Sequence, residues 1–442
     1  MNVTAIKTPI VEAQSRWVSL ALVEAKGRQA AKLSVAVQKI AQEAVAVWNK
    51  VLFPSPRIEA WKYTNPADIA NGSFSLPTIT PALFTQEQLA AFQIPGLKSY
   101  QIVFVDGEFS ATLSSTTTLP QGVTVTRIQS GEPVAVGALG AHTQEAFTAL
   151  ATALLNDGIC IGVARGVAVE IPFHIINVVT AAAESKVVTP RLFLDAQESS
   201  QVTVIESFVS NAAKCYLSLP VAEIRAAQGA VVDCYKFQDE SLSAYQISDT
   251  TIEQVRDSTV RTHIISLGGA MVRNNVSVRL NGSATQAVLN GLSVLANKQH
   301  VDNSTLIHHI EPASESREHF KGIYADQSRG VFSGTITVDQ IAQKTNAFQS
   351  NQTLLLSPTA SIETRPQLMI WADDVKCTHG ATIGQLDAEA LFYLRSRGID
   401  RETARNFLVH AFASEVLTSV RIPALRDYIE GAISTKLEAL QG

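Results

Sequence analysis

Hydrophobic and polar positions recur with different periods along this 442-residue chain, and the periods divide it into three zones. In the first zone, residues 1–95, apolar side chains recur at three- and four-residue steps, as on one face of a helix. They are Leu33, Val37, Ile40, Ala41, Ala44, Val47, Trp48 and Val51. Pro54 and Pro56 follow, and proline offers no amide donor to continue a helix. We predict an N-terminal helical domain over 1–95, with its main helix ending before Pro54.

The second zone, residues 96–382, alternates apolar and polar residues with a period of two, which is typical of strands with one buried face. Examples are Gln101-Ile-Val-Phe-Val, Val123-Thr-Val-Thr, Gln201-Val-Thr-Val-Ile, Val276-Ser-Val-Arg-Leu and Thr335-Ile-Thr-Val. From about residue 190 onward the pattern shows almost no helix. So long a strand-only region is large for one sandwich, whereas a solenoid grows coil by coil. We predict a mainly β protein with a β-helix core domain, and a pair of sandwiches is the alternative.

The third zone, residues 383–442, returns to a helical period. Asp387 and Asp400 are placed to cap two helices, and Gly398 suits the left-handed position after the first. The second helix has an apolar face of Ala404, Phe407, Leu408, Ala411, Phe412 and Val416, and we expect Pro423 to break it before a last amphipathic helix. This C-terminal helical domain can pack on the strand zone or dock a partner. Self-packing is the simpler reading.

Composition excludes several classes of protein. Charged residues make up 17% and the net charge is −5, which argues against a strongly basic nucleic-acid platform. Four cysteines are too few and too scattered for a disulfide framework. No run of about 20 apolar residues occurs, and the start lacks the pattern of a secretory signal. We expect a cytoplasmic protein that binds neither nucleic acid nor membrane.

One short motif carries candidate chemistry. Phosphate-binding loops, dinucleotide fingerprints, nucleophile elbows and zinc-protease helices are all missing from the sequence, so we expect no nucleotide bound by this chain. What remains is Cys377-Thr-His379. On a strand these two side chains share a face, where a thiol and an imidazole can ligate iron or zinc or act as nucleophile and base. Two ligands are half a metal site, and another chain could supply the rest. A chance buried pair is the alternative.

Other candidates have simpler readings. His300, His308, His309 and His319 are close in sequence, but neighbours such as His308 and His309 face opposite sides of a strand. We therefore favour polar strand residues over a metal site. Cys160, Cys215 and Cys234 suit small core positions. In the segment Arg57–Thr64, Trp61 and Tyr63 lie among alternating charges, which favours a local aromatic and ionic lock over a partner anchor.

A different class of function also fits a β-helix. Carbohydrate-active β-helix enzymes place paired carboxylates on one parallel sheet for acid–base work. Asp302, Asp326 and Asp339 are the candidates here. No secretory signal supports an extracellular substrate, so this remains the alternative, together with a purely structural interaction scaffold.

Several motifs resemble the SufB/SufD family of iron–sulfur cluster assembly proteins. The resemblance covers essentially the whole chain. It is carried by Arg57-x-Glu-x-Trp-Lys-Tyr-Thr64, Phe332-Ser-Gly, Lys344-Thr-Asn, Thr364-x-Pro-Gln-Leu, Ala372-Asp-Asp-Val-Lys-Cys-Thr-His-Gly-Ala-Thr382 and Leu391-Phe-Tyr-Leu-Arg-Ser-Arg-Gly398. SufB-type members carry a cysteine in the segment matching Gln349-Ser-Asn-Gln-Thr-Leu and a glutamate after the matching histidine. This chain has neither, since Gly380 follows His379, so it resembles the SufD-type branch.

The resemblance implies a fold and a set of partners. The fold is a right-handed parallel β-helix core flanked by N-terminal and C-terminal α-helical domains. The chain would be a non-catalytic subunit that pairs with a SufB-like paralogue, and a homodimer is possible in isolation. The C-terminal helical domain would dock a SufC-like ATPase, for which Phe407, Leu408 and Phe412 are our candidates. ATP hydrolysis in that partner would shift the helices and open the interface.

The resemblance also implies a role for the Cys-x-His motif. His379 would lie at the interface with the paralogue as a candidate ligand for iron or a nascent iron–sulfur cluster, with Cys377 beside it. The cluster would be bound transiently and shared with the partner chain.

Overall fold

Two long sheets, paired almost entirely in parallel, form the body of the molecule in the computed structural model, which describes residues 16–78, 84–115, 118–129 and 145–439. From Arg191 onward, each coil of the chain gives one strand to each sheet, and facing positions of neighbouring coils are 26 to 32 residues apart, as for Tyr245 with Met271 and Arg329 with Ser361. The predicted β-helix with flanking helices is confirmed, and the pair of sandwiches is wrong.

The strands of the described residues are, in chain order, β1 (Tyr100–Val105), β2 (Glu108–Phe109), β3 (Val123–Arg127), β4 (Ile159–Val163), β5 (Phe173–Val179), β6 (Val187–Val188), β7 (Arg191–Ala196), β8 (Gln201–Ser210), β9 (Leu217–Ser218), β10 (Val221–Ala226), β11 (Val231–Asp239), β12 (Tyr245–Gln254), β13 (Thr259–Ser266), β14 (Met271–Leu280), β15 (Gln286–Leu295), β16 (His300–His309), β17 (Glu315–Tyr324), β18 (Arg329–Val338), β19 (Asn346–Leu355), β20 (Ser361–Ile370) and β21 (Lys376–Gly384). The first sheet has the order β2-β1-β5-β8-β11-β13-β15-β17-β19-β21. The second has the order β20-β18-β16-β14-β12-β10-β7-β4-β3, with β6 and β9 beside it.

One corner of the solenoid is built from residues with left-handed backbone. Six successive coils place Ser199, Gly229, Asp257, Ala284, Ala313 and Lys344 at positive φ. The backbone N–H of each donates to a carbonyl in the corner of the next coil, for example Asp257 N to Ser283 O at 3.0 Å. Such a conformation turns the chain sharply, and at the five non-glycine positions the Cβ is crowded against the following carbonyl. The corners therefore stack as regularly as the strands do, although only one of the six residues is glycine.

The space between the sheets is an apolar core with polar positions set into it. Alternate residues of every strand point inward, and they include Ile224, Val260, Leu289, Phe320 and Ile336. Buried polar residues also face this interior, since Lys236 on β11 donates to Ser248 Oγ and Asn274 Oδ1 across the coil. The solenoid therefore encloses hydrogen-bonded side chains as well as apolar ones.

Helices flank the solenoid at both ends of the chain. Those described are α1 (Arg16–Lys32), α2 (Val35–Val51), α3 (Ala67–Ala70), α4 (Gln86–Ala90), α5 (Ala146–Ala153), α6 (Ala388–Ser396), α7 (Arg401–Leu417) and α8 (Pro423–Ala439). The N-terminal ones share a cluster of Trp17, Trp48, Trp61 and Phe147 with the outer side of the second sheet. The C-terminal ones cover Tyr235, Phe237, Ile265 and Leu292 on the outer side of the first. Residues 1–15 and 440–442 of the predicted terminal domains lie outside the described residues.

Most predicted helix signals hold. Helix α2 ends at Val51, before Pro54, and the side chains of Asp387 and Asp400 accept the capping hydrogen bonds of α6 and α7. Gly398 has φ +85°, as its position after α6 requires. Two details are wrong. Leu33 lies in a break between α1 and α2, and α7 ends at Leu417, so Pro423 does not break it but begins α8, a position where proline costs nothing.

The two ends of the solenoid differ. At the first end, the sheets finish with β2 and β3, which pair antiparallel with β1 and β4. At the last end, they finish with the long strands β20 and β21, and each pairs on one side only within the described residues. The last coil therefore presents two free strand edges.

The described helices include none that is both long enough and apolar enough to cross a membrane.

Candidate functional site

The Cys-x-His motif lies on the last strand of the solenoid. In β21, Cys377 pairs in register with Ala347, and His379 pairs with Gln349 of the preceding coil. Ala347 and the residues beneath it in the same row, Ser316 and Ala287, are buried, and Cys377 packs against the interior core. Cys377 and His379 are two residues apart, roughly 6.6 Å along a strand, and share this face. Both therefore belong to the inward-facing row of an open coil.

The environments of the two side chains differ. Cys377 is half-buried, and this burial raises the pKa of its thiol, partly offset by a backbone hydrogen bond at Ala347. The thiol is therefore mainly protonated near neutral pH, and a nearby cation or metal ion is needed to draw out the thiolate. His379 is exposed, because no further coil covers β21.

A buried amide and a buried carboxyl lie directly beneath His379. Gln349 pairs with His379 above and with Glu318 below, in three successive coils of the first sheet. The Gln349 Nε2–H donates to Glu318 Oε2 at 2.6 Å, and neither side chain is exposed to solvent. Burial raises the pKa of the Glu318 carboxyl to about 7. The floor of the open coil thus holds an acid that is often neutral at physiological pH.

The interior of the last coils also contains polar oxygen atoms without partners in the structure. They are Glu318 Oε1, Gln349 Oε1, Asn351 Oδ1, Thr353 Oγ1 and Thr364 Oγ1. Leaving a buried polar atom unbonded costs about 1–3 kcal/mol. Similar atoms occur along the rest of the solenoid, for example Gln238 Oε1 and Thr262 Oγ1, so they do not by themselves mark this end.

The described residues hold no group of three or more His, Cys, Asp or Glu side chains that could bind a metal ion. The four histidines of the third coil from the end separate, as the alternation predicted. His308 reaches Asp339 at 2.9 Å on the outer face, and His309 reaches Ser316 inside at 2.9 Å. His300 contacts Thr64, and His319 lies 4.0 Å from Glu415. Within the described part of the chain, Cys377 and His379 therefore have no third candidate metal ligand beside them.

The carboxylates proposed for a carbohydrate-active enzyme do not form a pair. Asp302 is buried and bonded to Arg273 and Thr64. Asp326 accepts from the Asn297 N–H in a turn, and Asp339 contacts His308. Each carboxylate has its own structural partner, so nothing in this geometry supports two carboxyl groups acting on one bond.

The segment Arg57–Thr64 joins the N-terminal helices to the solenoid. Trp61 is buried, and the Arg273 guanidinium lies 4.2 Å from its ring. Thr64 contacts both His300 and Asp302, and Glu59 pairs with Arg365 on the edge strand β20. The predicted local lock is therefore present, and it reaches the open end of the solenoid.

The remaining cysteines are partly buried and unpaired. Burial raises the pKa of the thiols of Cys160, Cys215 and Cys234, to about 11 for Cys160. Burial raises the pKa of the Cys377 thiol as well, so what separates these three cysteines is their place away from the open last coil, which agrees with core filling.

The C-terminal helices bury a different face from the one predicted. The residues of α7 that are buried are Ala404, Val409, Ala413, Val416 and Leu417. Phe407 is 53% exposed and Leu408 half-buried. Phe412 packs on the solenoid, where Lys321 Nζ donates to its carbonyl at 3.0 Å and lies 4.1 Å from its ring. Of the three candidate docking residues, Phe407 is thus the most accessible.

Glu318 and Gln349 did not stand out in the sequence. The sequence feature that could have revealed Glu318 is the alternation of inward and outward positions along β17. Its inward positions are Ser316, Glu318, Phe320 and Gly322, so a charged residue stands where an apolar one is expected. That signal is readable only once the register of the coil is known.

Two family models match the chain. The one described as "SUF system FeS cluster assembly, SufBD core domain" matches residues 178–412, and "SufBD protein N-terminal region" matches residues 22–175. Their matched regions include the whole solenoid from β6 to β21 and both helical ends in part.

Two of three similar curated proteins carry an iron–sulfur cluster assembly description. The chain is 33% identical over 391 residues to the iron–sulfur cluster assembly protein SufD of Escherichia coli strain K12, covering 87% of this chain and 89% of that protein. It is 31% identical over 414 residues to an iron–sulfur cluster assembly SufBD family protein of Synechocystis, covering 89% and 90%. It is 36% identical over 278 residues to the chloroplastic protein ABCI7 of Arabidopsis thaliana, covering 61% and 58%.

Proposed function

This chain belongs to the SufBD family of iron–sulfur cluster assembly proteins, and on that premise we propose that it is a SufD-like, non-catalytic subunit of a SufBCD-type assembly scaffold. The observation that carries the proposal is the position of Cys377 and His379 on the open last coil of the solenoid. Assembly in the cytoplasm fits four free cysteines, because reducing conditions keep thiols available.

The open edges suit pairing with a SufB-like paralogue of the same solenoid fold. Strands β20 and β21 are long, and each offers a free row of backbone donors and acceptors that another strand can use. Apolar side chains are exposed around them, including Trp371 at 55%, Met369 and Ile383. A paired edge would bury these groups and satisfy the backbone at once.

The same pairing completes the metal site. This chain contributes one thiol and one imidazole, both of which bind iron. A paralogue docked on β21 brings its own ligands to the same place, so that the nascent cluster, which is the cargo of the scaffold, is held between two chains. We propose His379 as the stronger ligand, because it is exposed at the interface, with Cys377 beside it.

The C-terminal helices suit the docking of a SufC-like ATPase. Exposed aromatic side chains on two adjacent helices, Phe392 and Tyr393 of α6 and Phe407 of α7, offer apolar anchors. Helix α7 is tied through Phe412 to Lys321 on β17, which lies two strands from β21 in the same sheet. A movement of the helices during ATP hydrolysis can therefore be passed to the open end.

Replacing the histidine tests the proposal. In the reconstituted complex, His379→Ala should lower the iron and sulfide content by at least about tenfold. Replacing a residue that only supports a metal ligand already costs about that much, and a ligand itself should cost more. The matched control is His308→Ala, because His308 is also partly exposed on the solenoid but faces Asp339 on the outer side. Iron and sulfide are measured after anaerobic assembly.

The readout separates the proposal from a purely structural scaffold. If His379→Ala assembles with its partners and carries as much iron and sulfide as the His308 variant, the ligand role is wrong. Loss of the complex itself would instead assign His379 to pairing, so the composition of the complex is measured alongside its iron content.

A further inference from the structure

Glu318 is a buried carboxyl without an ionic partner among the described residues. Its side chain is 0% exposed, and its carboxyl makes no ion pair there. Two other carboxylates buried in this solenoid are neutralised, since Glu223 pairs with Arg191 and Asp302 with Arg273. An uncompensated buried acid is costly to keep. Residues of this kind concentrate at functional sites.

The partner that Glu318 does have is an amide with one end unused. A carboxyl oxygen accepts, so the Gln349 nitrogen faces Glu318 Oε2 at 2.6 Å. The other end of the amide, Gln349 Oε1, is buried and has no hydrogen-bond partner. The carboxyl therefore fixes which way the amide is oriented, and it leaves a carbonyl oxygen available as an acceptor.

Space for this amide is provided from the opposite sheet. A Cβ atom on Gly334 of β18 would lie 2.2 Å from Gln349 Nε2 and 2.9 Å from its Cδ. The Gln349 side chain thus extends across the interior to the backbone of Gly334. The hydrogen bond to Glu318 therefore holds the amide on one side, and the missing side chain of Gly334 leaves room for it on the other.

The residue above Gln349 in the same row is His379. Their Cα positions are paired in the ladder, and both face the interior of the coil. A neutral imidazole has one N–H donor and one nitrogen free to bind a metal. A metal-binding histidine usually donates its N–H to a carbonyl or carboxylate, which fixes its tautomer and its ring orientation.

We propose that Glu318 and Gln349 are positioning residues for His379: when a partner covers the last coil, the carbonyl Oε1 of Gln349 accepts the imidazole N–H, and the other ring nitrogen is presented to iron. The inference rests on the proposed function, in which His379 is an iron ligand. No proton is transferred in this arrangement: Gln349 donates its Nε2–H to Glu318 and accepts the imidazole N–H through Oε1.

The test combines one deletion of the acceptor with a matched control. Gln349→Leu removes the amide at similar volume. Thr353→Val lies on the same strand and faces the same interior, and it also removes a buried oxygen that has no partner, but it pairs with Ile383 instead of His379. Glu318→Gln is a second variant of the same size: its amide can present either an oxygen or an NH2 group to Gln349, so Gln349 is no longer held in one orientation.

Two measurements are made on the reconstituted complex. The first is nitrogen-15 NMR of histidine-labelled chain without metal, with the His379 signal assigned by its loss in His379→Gln. We expect one dominant neutral tautomer in the parent and in Thr353→Val, and a mixture of tautomers in Gln349→Leu and Glu318→Gln. The second is anaerobic titration with ferrous iron, where Gln349→Leu should weaken binding by about 10–100-fold.

The positioning role is overturned if Gln349→Leu retains the single tautomer and the iron affinity of the parent, or if Thr353→Val loses both to the same extent. Failure of the proposed function would look different. If His379→Ala leaves iron binding intact, His379 is not a ligand, yet the tautomer signal of the metal-free complex still reports whether Gln349 holds the ring. If Gln349→Leu does not assemble, Glu318→Gln decides by the same two measurements.

Discussion

At the scale of a single residue, the close contact between Gly334 and Gln349 predicts that Gly334→Ala destabilises the protein. An added methyl group would collide with the Gln349 amide and break its hydrogen bond to Glu318. Because the carboxyl would stay buried without that donor, Gly334→Ala should lower the free energy of unfolding by about 1–3 kcal/mol. Urea denaturation measures the difference.

The matched control is Gly380→Ala on β21, where an added Cβ would meet no atom within 4 Å. Its effect should be within about 0.5 kcal/mol of zero, as for most surface substitutions. Equal stability of the two variants would mean that the amide can move aside freely.

The buried carboxyl of Glu240 predicts how the stability of the protein depends on pH. Its carboxyl is buried, accepts from Tyr216 and Gln246, and has a pKa raised by burial from the ordinary 4.5 to about 7. The folded state therefore holds the proton more tightly than the unfolded state. The stability that this proton contributes is complete below about pH 4.5 and is lost as pH rises through about 7.

In Glu240→Gln that pH dependence disappears. The difference in melting temperature between parent and variant should therefore shift steadily against the parent from pH 4.5 to pH 7 and level off above it. Glu402→Gln, on an exposed position of α7, is the control. A parent and a Glu240 variant whose melting temperatures run parallel over this range would contradict the expectation.

Single residues also show which parts of the candidate site can be predicted from the sequence. Cys377 and His379 could be placed on one strand face, because period-two alternation needs only local information. Glu318 and Gln349 could not be connected, since 31 residues separate them and the connection depends on the register between coils. The caps Asp387 and Asp400 were readable because a cap acts on its own helix.

At the scale of elements, β21 carries a prediction about pairing. Lys376 N donates to Thr345 O of the preceding coil, so alternate residues such as Ala381 direct their backbone toward the open edge. Ala381→Pro should keep the chain folded, because proline is tolerated where the lost N–H faces outward. It should weaken association with a SufB-like partner by about tenfold or more, since a buried carbonyl left unbonded costs about 1–3 kcal/mol.

Ala381→Thr is the control for this substitution, because threonine keeps the backbone donor and favours strands. Binding is followed by analytical ultracentrifugation of the mixed chains. Full association of the proline variant would show that β21 does not pair through its backbone.

The face of α7 is the element that sequence reasoning misjudged. An apolar stripe predicts which side of a helix is buried only if the surface that covers it is apolar too. The sheet beneath α7 offers polar groups as well: Lys321 binds the Phe412 carbonyl, and His263 and Asn290 reach Ser419 beyond the helix end. These contacts rotate the helix so that Phe407 faces outward.

At the scale of the whole molecule, the fold class was predictable and the coil boundaries were not. A long strand-only zone with short turns is enough to favour a solenoid. The repeat is hidden because coil length varies from 26 to 32 residues from Arg191 onward, and because the left-handed corner accepts serine, aspartate, alanine and lysine as well as glycine. A fixed period therefore never appears in the sequence.

A stack of coils should lose its structure from the uncovered end. Each coil contacts only its neighbours, and β20 and β21 have a neighbour on one side. Hydrogen exchange of the isolated chain should be fastest in these strands and slowest in inner ones such as β10 to β13. Adding a SufB-like partner should slow exchange in β20 and β21, with the inner coils as internal control. Uniform exchange along the solenoid would contradict this.

The unlike ends of the solenoid set a limit on stoichiometry. At the start, the short antiparallel strands β2 and β3 end the two sheets, while at the finish two ten- and nine-residue strands stand open. A solenoid with one open end can join only one other solenoid in this way. Pairing covers the open strands of both chains and leaves no edge for a third. Such an architecture favours pairs over filaments, and under the proposed function a cluster held at the junction would be assembled once per pair.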